Sequence, residues 1–206
     1  MRRRLSGVSV AVLLVATTLS MTSSAGVAWA AKPDASGTVT CKVTGSGTFS
    51  PKLTLAGSPG GVKFTFTAKA SKCKSNATIP GAIVNITGAT VTASGFWNGS
   101  GPSGSSCASL PTDTLGTMNA KYVWTSAPPI ANTTIATNGG VPWIASGPIF
   151  KFDITLIGAS ITSSAGSFAP ATSETFNLKT NIVNPCGAGW GPYPTFNITG
   201  GSFTVN

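Results

Sequence analysis

Three features of the chain predict an all-β fold. Segments between turn residues alternate apolar and polar with period two, and those segments are rich in Thr, Val, Ile and Phe. No window sustains a helical period, because 25 Gly and 14 Pro over 206 residues interrupt every long one. Each strand then has one apolar face, which needs a second layer to cover it. The expectation is an antiparallel β-sandwich, immunoglobulin-like or related. A closed barrel would satisfy the same alternation.

The strands are read in chain order. Val39, Cys41 and Val43 form the first inward row, and residues 53–55 a short following segment. Val62, Phe64, Phe66 and Ala68 share one face, with Lys63, Thr65, Thr67 and Lys69 on the other. Residues 82–93, 117–125, 175–182 and 195–205 are further strands. Phe150, Phe152, Ile154 and Leu156 repeat the scheme against Lys151, Asp153 and Thr155.

The first thirty residues read as an address. Arg2, Arg3 and Arg4 precede an apolar run from Leu5 to Leu19, and Ala28-Trp29-Ala30 supplies small residues for cleavage. That order is a secretory signal peptide, expected to be cut after Ala30, leaving one secreted domain over 31–206. No later stretch is long and apolar enough for a transmembrane helix. The formal +9 then falls to +6, ten lysines against four carboxylates, with neither Arg nor His remaining. Nucleic-acid binding is disfavoured, because base and phosphate readers depend on Arg and these lysines form no stripe.

Cys41, Cys73, Cys107 and Cys186 all lie in the exported part, so two disulfides are expected, with three pairings open by count alone. An internal repeat narrows the choice. Val43-Thr44-Gly45-Ser46-Gly47-Thr48-Phe49-Ser50-Pro51 matches Ile161-Thr162-Ser163-Ser164-Ala165-Gly166-Ser167-Phe168-Ala169-Pro170. Asn85-Ile86-Thr87-Gly88 likewise matches Asn197-Ile198-Thr199-Gly200, with a Thr-Phe strand and a cysteine between in both copies. The units span about 43–93 and 161–205 and predict a pseudo-two-fold duplication, with 94–160 intervening. Separate bridges in each unit favour Cys41–Cys73 and Cys107–Cys186. Gly88 and Gly200 interrupt the inward parity of their strands, which predicts a β-bulge at each.

The residues for catalysis are scarce. Without His, and with only Asp34, Asp113, Asp153 and Glu174 as acids, no catalytic, cofactor or metal site is expected. Asp153 and Glu174 on neighbouring strands would form a glycosidase-like pair, but an isolated surface acid facing a lysine is the commoner arrangement. Ser71-Lys72-Cys73-Lys74 matches S-x-x-K formally, yet lies in a β-rich stretch without the companion motifs of serine acyl-enzymes. Lys69, Lys72 and Lys74 read as a solvated surface or a weak patch for anionic wall polymers or lipid headgroups. Trp97, Trp143, Trp190 and Tyr193 sit beside Gly or Pro and are the candidate ligand-contact aromatics, against the commoner reading of Trp as core. Asn76, Asn85, Asn98, Asn132 and Asn197 open glycosylation sequons that matter only in a eukaryotic secretory host.

With its leader, Cys41 and Gly47-Thr48-Phe49-Ser50-Pro51-Lys52-Leu53 followed by later cysteine–strand–Gly units, the chain resembles small exported, disulfide-bonded all-β proteins common in actinobacteria. That group has no established activity, so the resemblance implies a fold and an export route and carries over no catalytic residue. The expected function is a secreted, non-enzymatic protein of the cell envelope or extracellular space, in a structural or protein-interaction role. A carbohydrate-binding module using the loop aromatics is the alternative. The sequence does not name the partner; an envelope protein and a glycan are the candidates.

Overall fold

Period-two alternation builds eleven strands among the described residues of the computed structural model: β1 (Val39–Leu53), β2 (Val62–Ser75), β3 (Thr78–Ile79), β4 (Ala82–Ile83), β5 (Asn85–Asn98), β6 (Thr114–Ala127), β7 (Thr133–Asn138), β8 (Ile149–Ile157), β9 (Ile161–Gly166), β10 (Ser173–Val183) and β11 (Tyr193–Val205). The structure describes residues 31–206 apart from 55, 59, 99–105, 107–113, 139–148, 158–160, 172 and 184–191, and it describes only the backbone of 114–115, 149–157 and 182–183. No helix among the described residues is long and apolar enough to cross a membrane.

Nine strands form one antiparallel sheet in the order β8-β10-β11-β1-β2-β5-β6-β7-β9, and β3 pairs with β4 as a separate hairpin. The all-β antiparallel class is therefore as predicted. The two facing layers expected of a sandwich are parts of one continuous sheet folded back on itself. Tyr122 on β6 donates a hydrogen bond to Glu174 on β10, although β5, β2, β1 and β11 lie between them in the sheet. In a flat sheet, strands spaced by about 4.8 Å would hold these two residues about 24 Å apart. The apolar face is thus concave and closes on its own side chains. The edge strands β8 and β9 are consecutive in sequence, and four peptide links, at most about 14 Å, join Ile157 to Ile161. The chain itself draws the two edges towards each other, which limits the exposure of unpaired strand edges.

Two of the predicted inward rows are buried, while the side chains of the third, Phe150, Phe152, Ile154 and Leu156, lie outside the described residues. Val39, Cys41 and Val43 are buried, as are Val62, Phe64, Phe66 and Ala68. Both bulges also occur where the glycines placed them. The register shifts between Ile86 and Gly88 on β5, and between the Lys179–Gly200 and Thr180–Ile198 pairs of β10 and β11. In each bulge a threonine hydroxyl reaches the neighbouring strand: Thr87 donates to the Thr125 carbonyl and Thr199 to the Lys179 carbonyl.

The duplication of whole units is not reproduced. β1 pairs with β2, whereas β9, its sequence counterpart, pairs with β7 and not with β10. Even the matching hairpins differ, since Lys69 faces Thr90 while Lys179 faces Gly200, a two-residue offset between the copies. What the copies share is a local device for bending a strand.

Cys41 and Cys73 form a disulfide between adjacent strands, with Cα atoms 4.0 Å apart. Opposite Cys41 the register slips between Thr40 and Lys42, and Lys72 adopts φ 50° in the extra residue. The S-x-x-K match is therefore a bulged strand end. Cys107 and Cys186 lie outside the described residues. The bridge spans 32 residues, so replacing both Cys41 and Cys73 by Ala is expected to remove about 3–4 kcal/mol through the freer unfolded chain. Urea titration in the absence of reductant measures this, and an unchanged midpoint would refute it.

A segment before β1 covers one end of the curled sheet. Ala131 N donates to the Pro33 carbonyl, and Phe168 N to the Ala35 carbonyl. Ala35 N donates in turn to Ser167 Oγ at 3.1 Å. Trp124 Nε1 donates to Thr133 Oγ1 at 2.8 Å, and that hydroxyl donates to the Ser167 carbonyl at 2.6 Å. This run of hydrogen bonds lets polar atoms of Thr133 and Ser167 sit fully buried beneath the cover.

Candidate functional site

Small inward residues dominate the mid-height of the sheet. Gly45, Gly47, Ala68, Ala93, Gly95 and Ala120 take positions that larger side chains occupy elsewhere on the same strands. At Gly47 a Cβ would run into the Phe196 ring and the Thr65 carbonyl, so this closeness is enforced by sterics. Strands drawn inwards at the middle leave an outer waist, and there a concavity of about 1000 Å³ crosses seven neighbouring strands.

Two continuous cross-strand rows of outward residues border it. One runs from Thr195 through Thr48, Thr65, Ser94 and Asn119 to Ala136 and Ser163, each the register partner of the next. The second runs Asn197, Ser46, Thr67, Thr92, Lys121, Thr134 in the same way. Residues two apart on a strand are separated by about 6.8 Å, and seven strands span a contour of about 29 Å around the curl of the sheet. The groove is therefore a band with hydroxyl and amide groups along both borders. Thr48 and Thr65 hydroxyls are hydrogen-bonded to each other at 2.8 Å. The other side chains of the second row are exposed and face solvent.

The aromatic expectation fares differently at each position. Trp97 is 1 % exposed, stacked on Phe64 at 4.2 Å between ring centres and within 5.8 Å of Phe49. It is a core residue. Tyr193 is half-buried at the start of β11, and its hydroxyl has no hydrogen-bond partner among the described residues. Trp143 and Trp190 lie outside the described residues. The four residues are not brought together as one described surface.

Glu174 departs most from the sequence reading. It is a fully buried acid and not a surface one. Tyr122 donates to its Oε1, while Oε2 has no hydrogen-bond partner among the described residues. Tyr122 stacks on Trp124 at 5.3 Å and leans on Phe203 at 5.0 Å, so the surroundings are aromatic. Burial pushes the Glu174 carboxyl up to about 8, against a smaller lowering by the Tyr122 hydrogen bond. The Tyr122 phenol is raised well above its ordinary value, by burial first and by the neighbouring Glu174 second. The pairing with Asp153 does not form in the register. Asp153 is opposite Asn177 and Glu174 opposite Leu156, so the two acids are not register partners.

Among the described residues no three His, Cys, Asp or Glu side chains converge on a point that would hold a metal ion. The chemistry on offer at the waist is hydrogen bonding from neutral groups, with one ammonium. No protein-family model, no curated protein and no solved structure matches the chain.

Proposed function

We propose that this chain is a secreted, non-enzymatic protein of the cell envelope or extracellular space, in a structural or interaction role, and that its outer β face is the contact surface. The observation that carries this reading is the waist groove, bordered by one row that crosses seven strands with Ala136 as its single apolar member and by a wholly polar row that crosses six. A rigid sheet presents such rows in place before any partner arrives, so little ordering is needed on contact. The Cys41–Cys73 disulfide supports an oxidising destination, since cross-links of this kind persist outside the reducing cytosol. The leader-like first thirty residues point the same way.

A carbohydrate-binding role is the second reading, and the groove favours it over the loop aromatics. Hydroxyl and amide groups in rows suit a hydroxyl-rich ligand, whereas Trp97 has no exposed face to stack on a sugar. Co-sedimentation with isolated envelope fragments tests the main proposal. Wild type is expected in the pellet, and Thr67→Tyr with Thr92→Tyr, which fills the groove with strand-compatible side chains, is expected in the supernatant. Equal retention of both would remove the groove from the contact.

A further inference from the structure

Charge distinguishes the groove from an ordinary threonine-rich sheet surface. None of the seven strands that form it contains an Asp or Glu. Lys121 stands within the second row, and Lys69 and Lys63 follow Thr67 and precede Thr65 on the same outward face of β2. All three lysines are exposed. The fourth carboxylate that might offset them, Glu174, is enclosed on the other face of the sheet, and Asp34 is the one exposed side-chain carboxylate among the described residues. The groove thus combines neutral hydrogen-bonding rows with a border of three exposed lysines and no acid on its own seven strands.

We propose that the waist groove binds an anionic glycopolymer, an extended chain of hydroxyl-bearing units that carry phosphate or carboxylate groups. The inference rests on the reading that the outer β face is the contact surface, and it names the partner. The hydroxyl rows of Thr65, Thr67 and Thr92 meet the neutral part of each unit. Lys63, Lys69 and Lys121 meet the acidic groups. A band about 29 Å long accepts several units of a chain laid across the strands, which a compact ligand would not use. That residues 31–206 hold Lys and no Arg matters too: lysine acts as a point charge and tolerates a flexible acidic group, without the bidentate geometry that selects nucleic-acid edges.

Isothermal titration of the purified protein with four polymers tests this: poly(glycerol phosphate) bearing sugars, polygalacturonate, neutral dextran and polyglutamate. Binding is expected with one or both anionic glycopolymers, and which of them binds identifies phosphate or carboxylate as the acidic group. The logarithm of affinity should fall with that of salt concentration with a slope of about −2 for three lysine contacts. Lys63→Gln, Lys69→Gln and Lys121→Gln together should weaken binding at least about tenfold. Thr67→Val with Thr92→Val, which keeps the branched shape and removes two hydroxyls, should weaken it severalfold. Equal affinity for dextran would overturn the role of charge, and equal affinity for polyglutamate would overturn the role of the hydroxyl rows. Unchanged affinity in the lysine variant would overturn the location. If no polymer binds while envelope retention still depends on the groove, the polymer inference fails and the contact surface stands. If retention is also indifferent to the groove variant, both fail.

Discussion

Raising the pH from about 5 to about 9 is expected to lower the stability of this fold by about 4 kcal/mol, and Glu174→Gln is expected to remove most of that loss. The cause is the full burial of Glu174 beside Tyr122, which pushes its carboxyl from an ordinary 4.5 to about 8. In the unfolded chain the same group ionises near its ordinary value. Between those two values the folded protein holds a proton that the unfolded chain has released, so each rise in pH favours unfolding. The contribution is complete below about 4.5, declines through the neutral range, and is lost above about 8. The Tyr122 phenol, raised well above its ordinary value, stays protonated across this window and does not reverse the sign. Gln is a neutral stand-in for the protonated acid and can still accept from the Tyr122 hydroxyl. Near pH 7 the variant should therefore exceed wild type by about 3 kcal/mol. Urea titrations at several pH values decide it. Parallel pH profiles for wild type and variant, with unchanged denaturant slopes, would show that Glu174 is not the linked group.

The same residue marks where sequence reasoning stops. Ser173-Glu174-Thr175-Phe176 has the parity of an inward Glu, since Phe176 and Leu178 are inward too, but an acid on an apolar row is ordinarily discounted because burial is costly. The signal was present and weaker than the expectation against it. Local features with a single physical cause were legible. The buried rows of β2 and the bulges after Ile86 and Ile198 follow from neighbours in sequence, whereas the Cys41–Cys73 bridge joins residues 32 apart and is favoured by a repeat that the strand pairing does not reproduce. The short strand β7, Thr133–Asn138, is not among the segments the alternation predicts, because Thr133 and Thr137 fill inward positions that an apolar count does not register. The closure of the sheet depends on which strands pair across long separations. Its most direct witness is a contact between residues 52 apart, which no local pattern encodes. The groove is a further step removed, because its rows exist only once six registers are known.

Trp97→Ala is expected to cost about 3–5 kcal/mol, enough to unfold a marginal domain. The indole is fully enclosed on the inward face of β5, opposite Val62 on β2, and its ring lies flat on Phe64. Phe49 approaches it from β1 and Phe49 itself touches Phe196 on β11 at 4.8 Å, so one side chain joins the packing of four adjacent strands. Truncation to Ala opens a cavity that these rings cannot fill, because each is tied to its own strand register and the backbone cannot close over the gap. Trp97→Phe keeps an aromatic ring in contact with Phe64 and should cost less, about 1–2 kcal/mol. The comparison separates two roles for the same residue. A sugar-contact tryptophan is a surface group, and its removal would leave the urea midpoint almost unchanged while abolishing binding. A core tryptophan gives the graded loss of stability, with Ala worse than Phe and an unaltered denaturant slope in both. Near-wild-type stability of Trp97→Ala would return this residue to the ligand surface and with it the aromatic version of carbohydrate recognition.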